Sequence, residues 1–280
     1  ASAQKKAAEN GRRESNWEFG TNPCSEIILR PNQFCNLTEI VVRAGDTVNT
    51  LTRKIKVATL LGTIQSTFTN FGYLRKIWQD NTEEERLLGV SLTGIMDSEL
   101  LNGKETGLAK TLEKLKKVAV DCNKEYAEKF NINQSTAITC VKPSGTVSQL
   151  VDSASGIHAR HNPYYIRTVR GDKKDPLTEF LKASGIPSED DKMKPDHTTV
   201  FSFPMMAPKG SVCRTDMTAI QQLEMWKIYA KHWCEHKPSV TISVKEDEWV
   251  PVGAWCWENF DHLSGVSFLP FADHTYTQAP

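Results

Sequence analysis

With 280 residues the chain can bury a sizeable core, and its 34 basic residues balance 34 acidic ones, so no global field draws it to nucleic acid or to anionic lipid. No apolar run approaches the roughly 20 residues that cross a bilayer, and the N-terminus lacks the regions of a signal peptide, so a cytoplasmic address without a membrane partner is expected. Seven cysteines, at 24, 35, 122, 140, 213, 234 and 256, form no CxxC pair and no short zinc-ligand spacing, which argues against a disulfide framework and leaves core packing as the default for each.

In chain order, residues 1–16 are polar, lack an apolar period and read as a solvated lead-in; they also fit an internal segment cut from something longer. A short β-rich run follows at 26–29. Apolar spacing predicts a helix over 48–71 (Val48, Leu51, Ile55, Leu60, Ile64, Phe68) and another over 83–101. A third, amphipathic helix runs through Leu108, Leu112, Leu115, Ala119, Cys122 and Tyr126, which makes Cys122 a core thiol. A strand at 137–141 precedes an exposed excursion at 171–197 that carries one short helix, and further strands are expected at 199–203, 240–244 and 266–271. Between these lies a fourth helix through Ile220, Leu223, Trp226, Ala230 and Trp233. Strands alternating with helices predict one α/β domain with largely parallel strands.

Two stretches carry chemistry. In TNPCSE, Pro23 fixes its own torsion and pushes Asn22 towards an extended conformation, so the segment reads as a tight turn with Cys24 at its tip. If a strand begins here, Glu26 projects on the same side as Cys24, and a thiol beside a carboxylate suits a nucleophile or hydrogen-atom carrier next to a general base. In ITCVKPSGTVSQL (138–150) a strand runs into Pro143, Ser144, Gly145 and Thr146 and then into helix formers. Ser144 and Thr146 are N-cap candidates and the free N–H groups suit phosphate, although the same pattern also describes an ordinary capped helix.

The turn, followed by Phe34, Cys35, Asn36 and Leu37, resembles the finger loop and adjoining strand of ribonucleotide reductases, above all the monomeric, adenosylcobalamin-dependent ribonucleoside-triphosphate reductases. The likeness continues through EERLLGVSLTGIMD (84–97), KPSGTV (142–147), SGIH (155–158) and YYIRTVR (164–170), and covers nearly the whole chain from Trp17 to Pro280. It implies part of a ten-stranded α/β barrel around a central finger loop. Cys24 would hold a thiyl radical that removes the 3′ hydrogen of the ribose, Glu26 would take the proton of the 3′ hydroxyl, and Asn22 would hydrogen-bond the sugar. Cys35 would be one of two thiols that supply electrons as water leaves the 2′ carbon. Pro143, Ser144, Gly145 and Thr146 would hold the substrate's phosphates, with His158 and Arg167 nearby. The partners implied are a ribonucleoside triphosphate and a thioredoxin-like reductant, with a monomer as the complete form.

Iron-dependent (class I) reductases share the finger loop but resemble one another in a Tyr-Tyr pair on a late barrel strand. Here that strand reads SFLPF (267–271), and Tyr164 and Tyr165 lie mid-chain, so adenosylcobalamin fits better as cofactor, bound without the histidine of a DxHxxG pattern, which is absent. The expected second redox thiol, the upstream strands and a terminal cysteine pair are not in these residues, so the chain is expected to be one part of a barrel, its upstream half and its C-terminal tail lying elsewhere. A piece that is silent without a partner chain is therefore a further reading. The rival from another class is a zinc peptidase, since His232, Glu235 and His236 fit H-x-x-E-H on a predicted helix. Against it, Trp233 and Cys234 continue the apolar face.

Overall fold

The computed structural model describes residues 2–272 and 278. The terminal stretch from Tyr276 to Pro280 lies, apart from Gln278, outside the described residues. Two compact units divide the chain, one made of Ala1–Arg160 with Lys209–Pro270, the other of His161–Pro208 with Phe271–Pro280.

The first unit opens with helix α1 (Ser2–Ala8), then a two-residue ladder of β1 (Gly20–Thr21) on β2 (Ile28–Leu29), which is an antiparallel hairpin. The lead-in is only partly solvated: most of it is exposed or half-buried, but Ala7 and Arg13 are buried, and Arg13 and Arg12 find carboxylate partners 72 and 223 residues away that no local pattern reveals. Strand β3 (Asn36–Val41) follows, and then α2 (Val48–Gln65), which starts at a Thr47–Thr50 capping box. The helix expected over 83–101 is instead the end of α3 (Lys76–Glu85) and a strand, β4 (Leu88–Thr93). Arg86, left-handed at φ 43°, stops the helix, and all six residues of β4 are buried, so its apolar run had no alternation to mark it as a strand. Helix α4 (Leu108–Phe130) lies where its stripe predicts, with Cys122 buried, and the short α5 (Gly145–Leu150) follows the 142–145 loop.

In the second unit, β5 (Tyr164–Asp172), α6 (Pro176–Ala183), β6 (Ser188–Asp190) and β7 (Thr198–Met206) form a sheet of order β5-β7-β6 with a helix begun by an Asp175 cap. Both pairings are antiparallel, which departs from the largely parallel expectation. Tyr164 and Tyr165 sit at the start of β5.

Back in the first unit, α7 (Ala219–His232), β8 (Val240–Val244), α8 (Trp249–Glu258) and β9 (Val266–Pro270) complete the chain. Apart from the β1–β2 hairpin, the strands of this unit are parallel: β3 on β4, Val90 bridged to Thr139, Val141 bridged to Pro238, and β8 on β9. Five parallel segments thus follow one another in chain order, with helices between them. The core packs Leu88, Val90 and Leu92 of β4 against Leu51 and Ile55 of α2, Leu112 and Leu115 of α4, and Leu223, Trp226 and Tyr229 of α7. Each such side chain, fully buried, contributes on the order of 2 kcal/mol of transfer free energy. No described helix is long and apolar enough to cross a membrane.

Candidate active site

The hairpin between β1 and β2 turns through residues 22–27. Its geometry is set by the Ser25 N–H donating to Asn22 O at 2.9 Å, by the Ile27 N–H donating to Asn22 Oδ1 at 3.0 Å, and by a left-handed Ser25 at φ 61°. Pro23 and Cys24 are exposed at the tip. The strand begins only at Ile28, so the two-residue alternation that would set Glu26 beside Cys24 does not apply; Glu26 is fully buried while Cys24 is exposed. Two residues apart, their Cα atoms still lie within about 7 Å.

Lys142, which sequence reasoning quoted without giving it a role, reaches Glu26. Its Nζ donates to Glu26 Oε1 at 2.9 Å, while Glu26 Oε2 is buried without a hydrogen-bond partner. Burial alone would lower the Lys142 ammonium, but the hydrogen bond and charge of Glu26 outweigh it and leave its pKa raised, with Cys140 and Cys24 adding in the same direction. Cys35 stands immediately before β3 in the same neighbourhood. Burial pushes its thiol well above the ordinary range, Arg13 and Lys142 pull it back, and Glu26 adds to the rise, so it stays protonated. Cys140 is fully buried and is likewise raised, first by burial and then by Cys234, Cys35 and Glu26.

On the other side of Lys142, the loop at 143–146 is built differently from the capped helix the sequence suggests. Ser144 is left-handed at φ 56° and makes no cap bond; its hydroxyl donates to Glu39 Oε2 at 2.6 Å. Burial raises Glu39, against the hydrogen bonds from Ser144 and Ser91 and the charge of Lys142. Ser155 Oγ braces the loop from beneath, donating to Pro143 O at 2.8 Å. Gly156, at φ 56°, leaves room for it, since a Cβ there would stand 2.3 Å from Lys142 O. Gly145 and Thr146 are exposed, and a Cβ on Gly145 would meet no protein atom within 4 Å, so the space before the loop is open.

Buried polar contacts fix the foot of the hairpin. Arg13 pairs with Glu85 through two 2.8 Å bonds and donates to Ile28 O at 2.9 Å, and Gln33 Nε2 joins Glu85 at 2.6 Å. Burial alone would raise Glu85, but Arg13 foremost, with Gln33 and Arg30, holds it below its ordinary value. His236 accepts from Ile28 N at Nδ1 and, as the tautomer this requires, donates from Nε2 to Leu88 O at 2.9 Å. Burial, helped by Arg13, drives its pKa down to about 3, so it is neutral.

These contacts overturn the zinc-peptidase reading. Helix α7 ends at His232, so His236 is not one turn further along it, and both of its ring nitrogens are occupied. Glu235 is held by Arg12 at 2.6 Å, and His232 faces Glu113 at 2.7 Å. Trp233 packs in the core and donates to Cys140 O at 2.8 Å. Among the described residues no group of three metal-ligating side chains exists. His158 accepts from Thr241 N at 2.9 Å and contacts Ser155 O at 2.8 Å. Arg167 belongs to the second unit, on β5, where its guanidinium lies 3.2 Å from Tyr165 Oη.

In sequence and in fold the chain is similar to ribonucleotide reductases. It shares the fold of a B12-dependent (class II) ribonucleotide reductase, with a TM-score of 0.80 and 26% identity over 93% of this chain and 40% of the other. Within that class its curated relatives are adenosylcobalamin-dependent ribonucleoside-triphosphate reductases. One from Lactobacillus gasseri is 29% identical over 93% of this chain, and one from Euglena gracilis is 29% identical over 90%. The chain spans 38% and 34% of the length of these two proteins. An Actinobacillus ureae class Id ribonucleotide reductase alpha subunit shares the fold at a TM-score of 0.57 and 12% identity, over 96% of this chain and 56% of that one. No family model matches the chain.

Proposed function

We propose that this chain is part of the catalytic domain of a ribonucleoside-triphosphate reductase, its five parallel segments forming one part of a ten-stranded barrel around the 20–29 hairpin. The observation that carries this reading is the Glu26 carboxylate. One oxygen is fixed by Lys142 and the other is buried and unpartnered, two residues from an exposed thiol. A buried acceptor left open is expensive to maintain for stability alone.

In this reading Cys24, as a thiyl, takes the 3′ hydrogen of the ribose, and Glu26 Oε2 accepts the proton of the 3′ hydroxyl. The 2′ hydroxyl leaves as water. Two electrons and two protons come from Cys35 and a partner thiol, which close a disulfide, and Cys24 returns its hydrogen to the 3′ carbon. The raised pKa of Cys35 supports this role, because a protonated thiol can deliver both proton and electron. Asn22, with Oδ1 engaged by the turn, would offer its amide N–H groups to the sugar. Pro143, Ser144, Gly145 and Thr146 would receive the triphosphate. Adenosylcobalamin, when bound, supplies the radical by homolysis of its cobalt–carbon bond, and the exposed position of Cys24 fits a radical source that approaches from outside the hairpin. A thioredoxin-like protein of the cytoplasm would reduce the disulfide, and the complete protein would be a monomer.

The test replaces the matching part of the Lactobacillus gasseri relative with these 280 residues and follows CTP to dCTP with a dithiol. Product that requires adenosylcobalamin and disappears in Cys24→Ser and Glu26→Gln is expected. Product formed equally in Cys24→Ser would refute the assignment, and product only with an iron radical subunit would move the chain to class I.

A further inference from the structure

A cavity of about 370 Å³ in the first unit lies between α1, α7 and the 261–262 turn, away from the residues assigned above. Ala230 and the lysine stems give it an apolar wall, and five lysines line it against only two carboxylates, a formal +3 with His262 neutral. Both carboxylates are already taken: Glu9 by Lys6 at 2.5 Å and Asp261 by Lys5 at 2.7 Å. The other three lysines have no carboxylate partner among the described residues. Lys227 donates to Asn259 Oδ1 at 2.6 Å, and the exposed Lys231 amine has no hydrogen bond among the described residues.

Lys237 is the unusual one. It is only 4% exposed, and its amine meets a single neutral acceptor, Ser2 Oγ at 2.9 Å. An ammonium taken out of water without a counter-charge costs several kcal/mol, so such a group marks a place where an anion belongs. Burial and then the charge of Lys6 bring its pKa down to about 8, against the opposing pull of Glu9. Lys116, whose amine donates to Lys231 O at 3.5 Å, is lowered by burial and by Lys6 as well, so this corner repels further cations.

We propose that this cavity is a binding site for a small organic phosphate monoester, the dianion held by Lys237 with Lys227 and Lys231 and the organic body lying against Ala230 and the lysine stems. Ammonium groups serve phosphate as point charges, and a dianion matches three uncompensated cations more closely than a carboxylate does. The cavity volume falls in the range of small-molecule sites. Lys237 also joins the hairpin through its backbone, its N–H donating to Glu26 O at 2.9 Å. The binding site itself stands independently of the reductase reading.

The probe is pyridoxal 5′-phosphate, added to the 280-residue chain. Its aldehyde condenses with an unprotonated lysine amine to an imine with loss of water, borohydride reduces the imine to a secondary amine, and peptide mapping locates it. Lys237 is expected to carry at least tenfold more label than the exposed Lys117, and millimolar pyrophosphate is expected to protect it. Protection should persist in Ser144→Ala/Thr146→Ala, which separates this cavity from the loop at 143–146. Calorimetry should show pyrophosphate binding retained in Lys237→Arg and lost in Lys237→Met. Label spread over lysines in proportion to their exposure, label at Lys237 that pyrophosphate leaves unchanged, or protection lost with the Ser144 and Thr146 substitutions would each overturn the proposal; the wild-type labelling decides it even if a variant fails to fold.

Discussion

The hairpin at 20–29 and the loop at 142–156 are both short and irregular, and both turn on a left-handed serine, Ser25 in one and Ser144 in the other. They are held by opposite means. The hairpin foot is clamped by the buried Arg13–Glu85 ion pair, with the neutral His236 hydrogen-bonded beside it. The loop rests on hydroxyl contacts from Ser155 and Ser144 and on the lack of a side chain at Gly156. Lys142 belongs to the second and reaches into the first. In the proposed reading the hairpin that carries the reacting thiol is anchored by a buried ion pair, and the loop offered to phosphate is braced by hydroxyl contacts, one of them to the Glu39 carboxylate.

Breaking the clamp should cost most. Arg13→Ala leaves Glu85 buried without its partner and is expected to lower unfolding free energy by about 3–5 kcal/mol in urea titrations. A loss below about 1 kcal/mol would show that Arg13 contributes packing only. Gly156→Ala should cost about 3 kcal/mol, from left-handed strain and the 2.3 Å approach to Lys142 O together, with weakened nucleotide binding. Far-UV circular dichroism with denaturant titration and nucleotide calorimetry would separate the two effects.

Acid should weaken the hairpin foot in two steps. The His236 pKa falls on folding from an ordinary 6.5 to about 3, so the unfolded chain binds a proton that the folded chain refuses, and stability declines as pH falls from about 6.5 towards 3. Glu85, also depressed on folding, stabilises fully above its unfolded value of 4.5 and loses that contribution as pH falls through its lower folded value. The denaturation midpoint of the wild type should therefore fall in two stages, and His236→Gln should remove the upper one. A single stage below pH 4.5 would remove His236 from the clamp. Smallest of all, Ser144→Ala should cost about 1 kcal/mol of stability and weaken triphosphate affinity several-fold, read by calorimetry.

Much of the site was legible in the sequence because its chemistry is local. Asn22, Pro23 and Cys24 specify a tight turn whatever surrounds them, and Pro143 to Thr146 specify a strand end. Lys142 carried no signal of its own, since its partner Glu26 is 116 residues away. The strand starts two residues later than the 26–29 run suggests, so alternation does not place Glu26. The rival H-x-x-E-H reading fails for the reverse reason: its letters satisfy a helical pattern, but the helix ends at His232 and the remaining residues serve hairpin, core and ion pair.

What the sequence by itself determined were the elements with a strong internal period, such as α4 and α7, the turn that exposes Cys24, and the balance of charge, because each follows from residues near one another in the chain. Tertiary structure alone decided that β4 is a strand, that Arg12 and Arg13 are partners rather than solvated charges, that one buried Glu26 oxygen has no hydrogen-bond partner among the described residues, and that the buried Lys237 amine meets Ser2 rather than a carboxylate. Each of those depends on which distant group fills the space beside it, and burial gives that neighbour its energy.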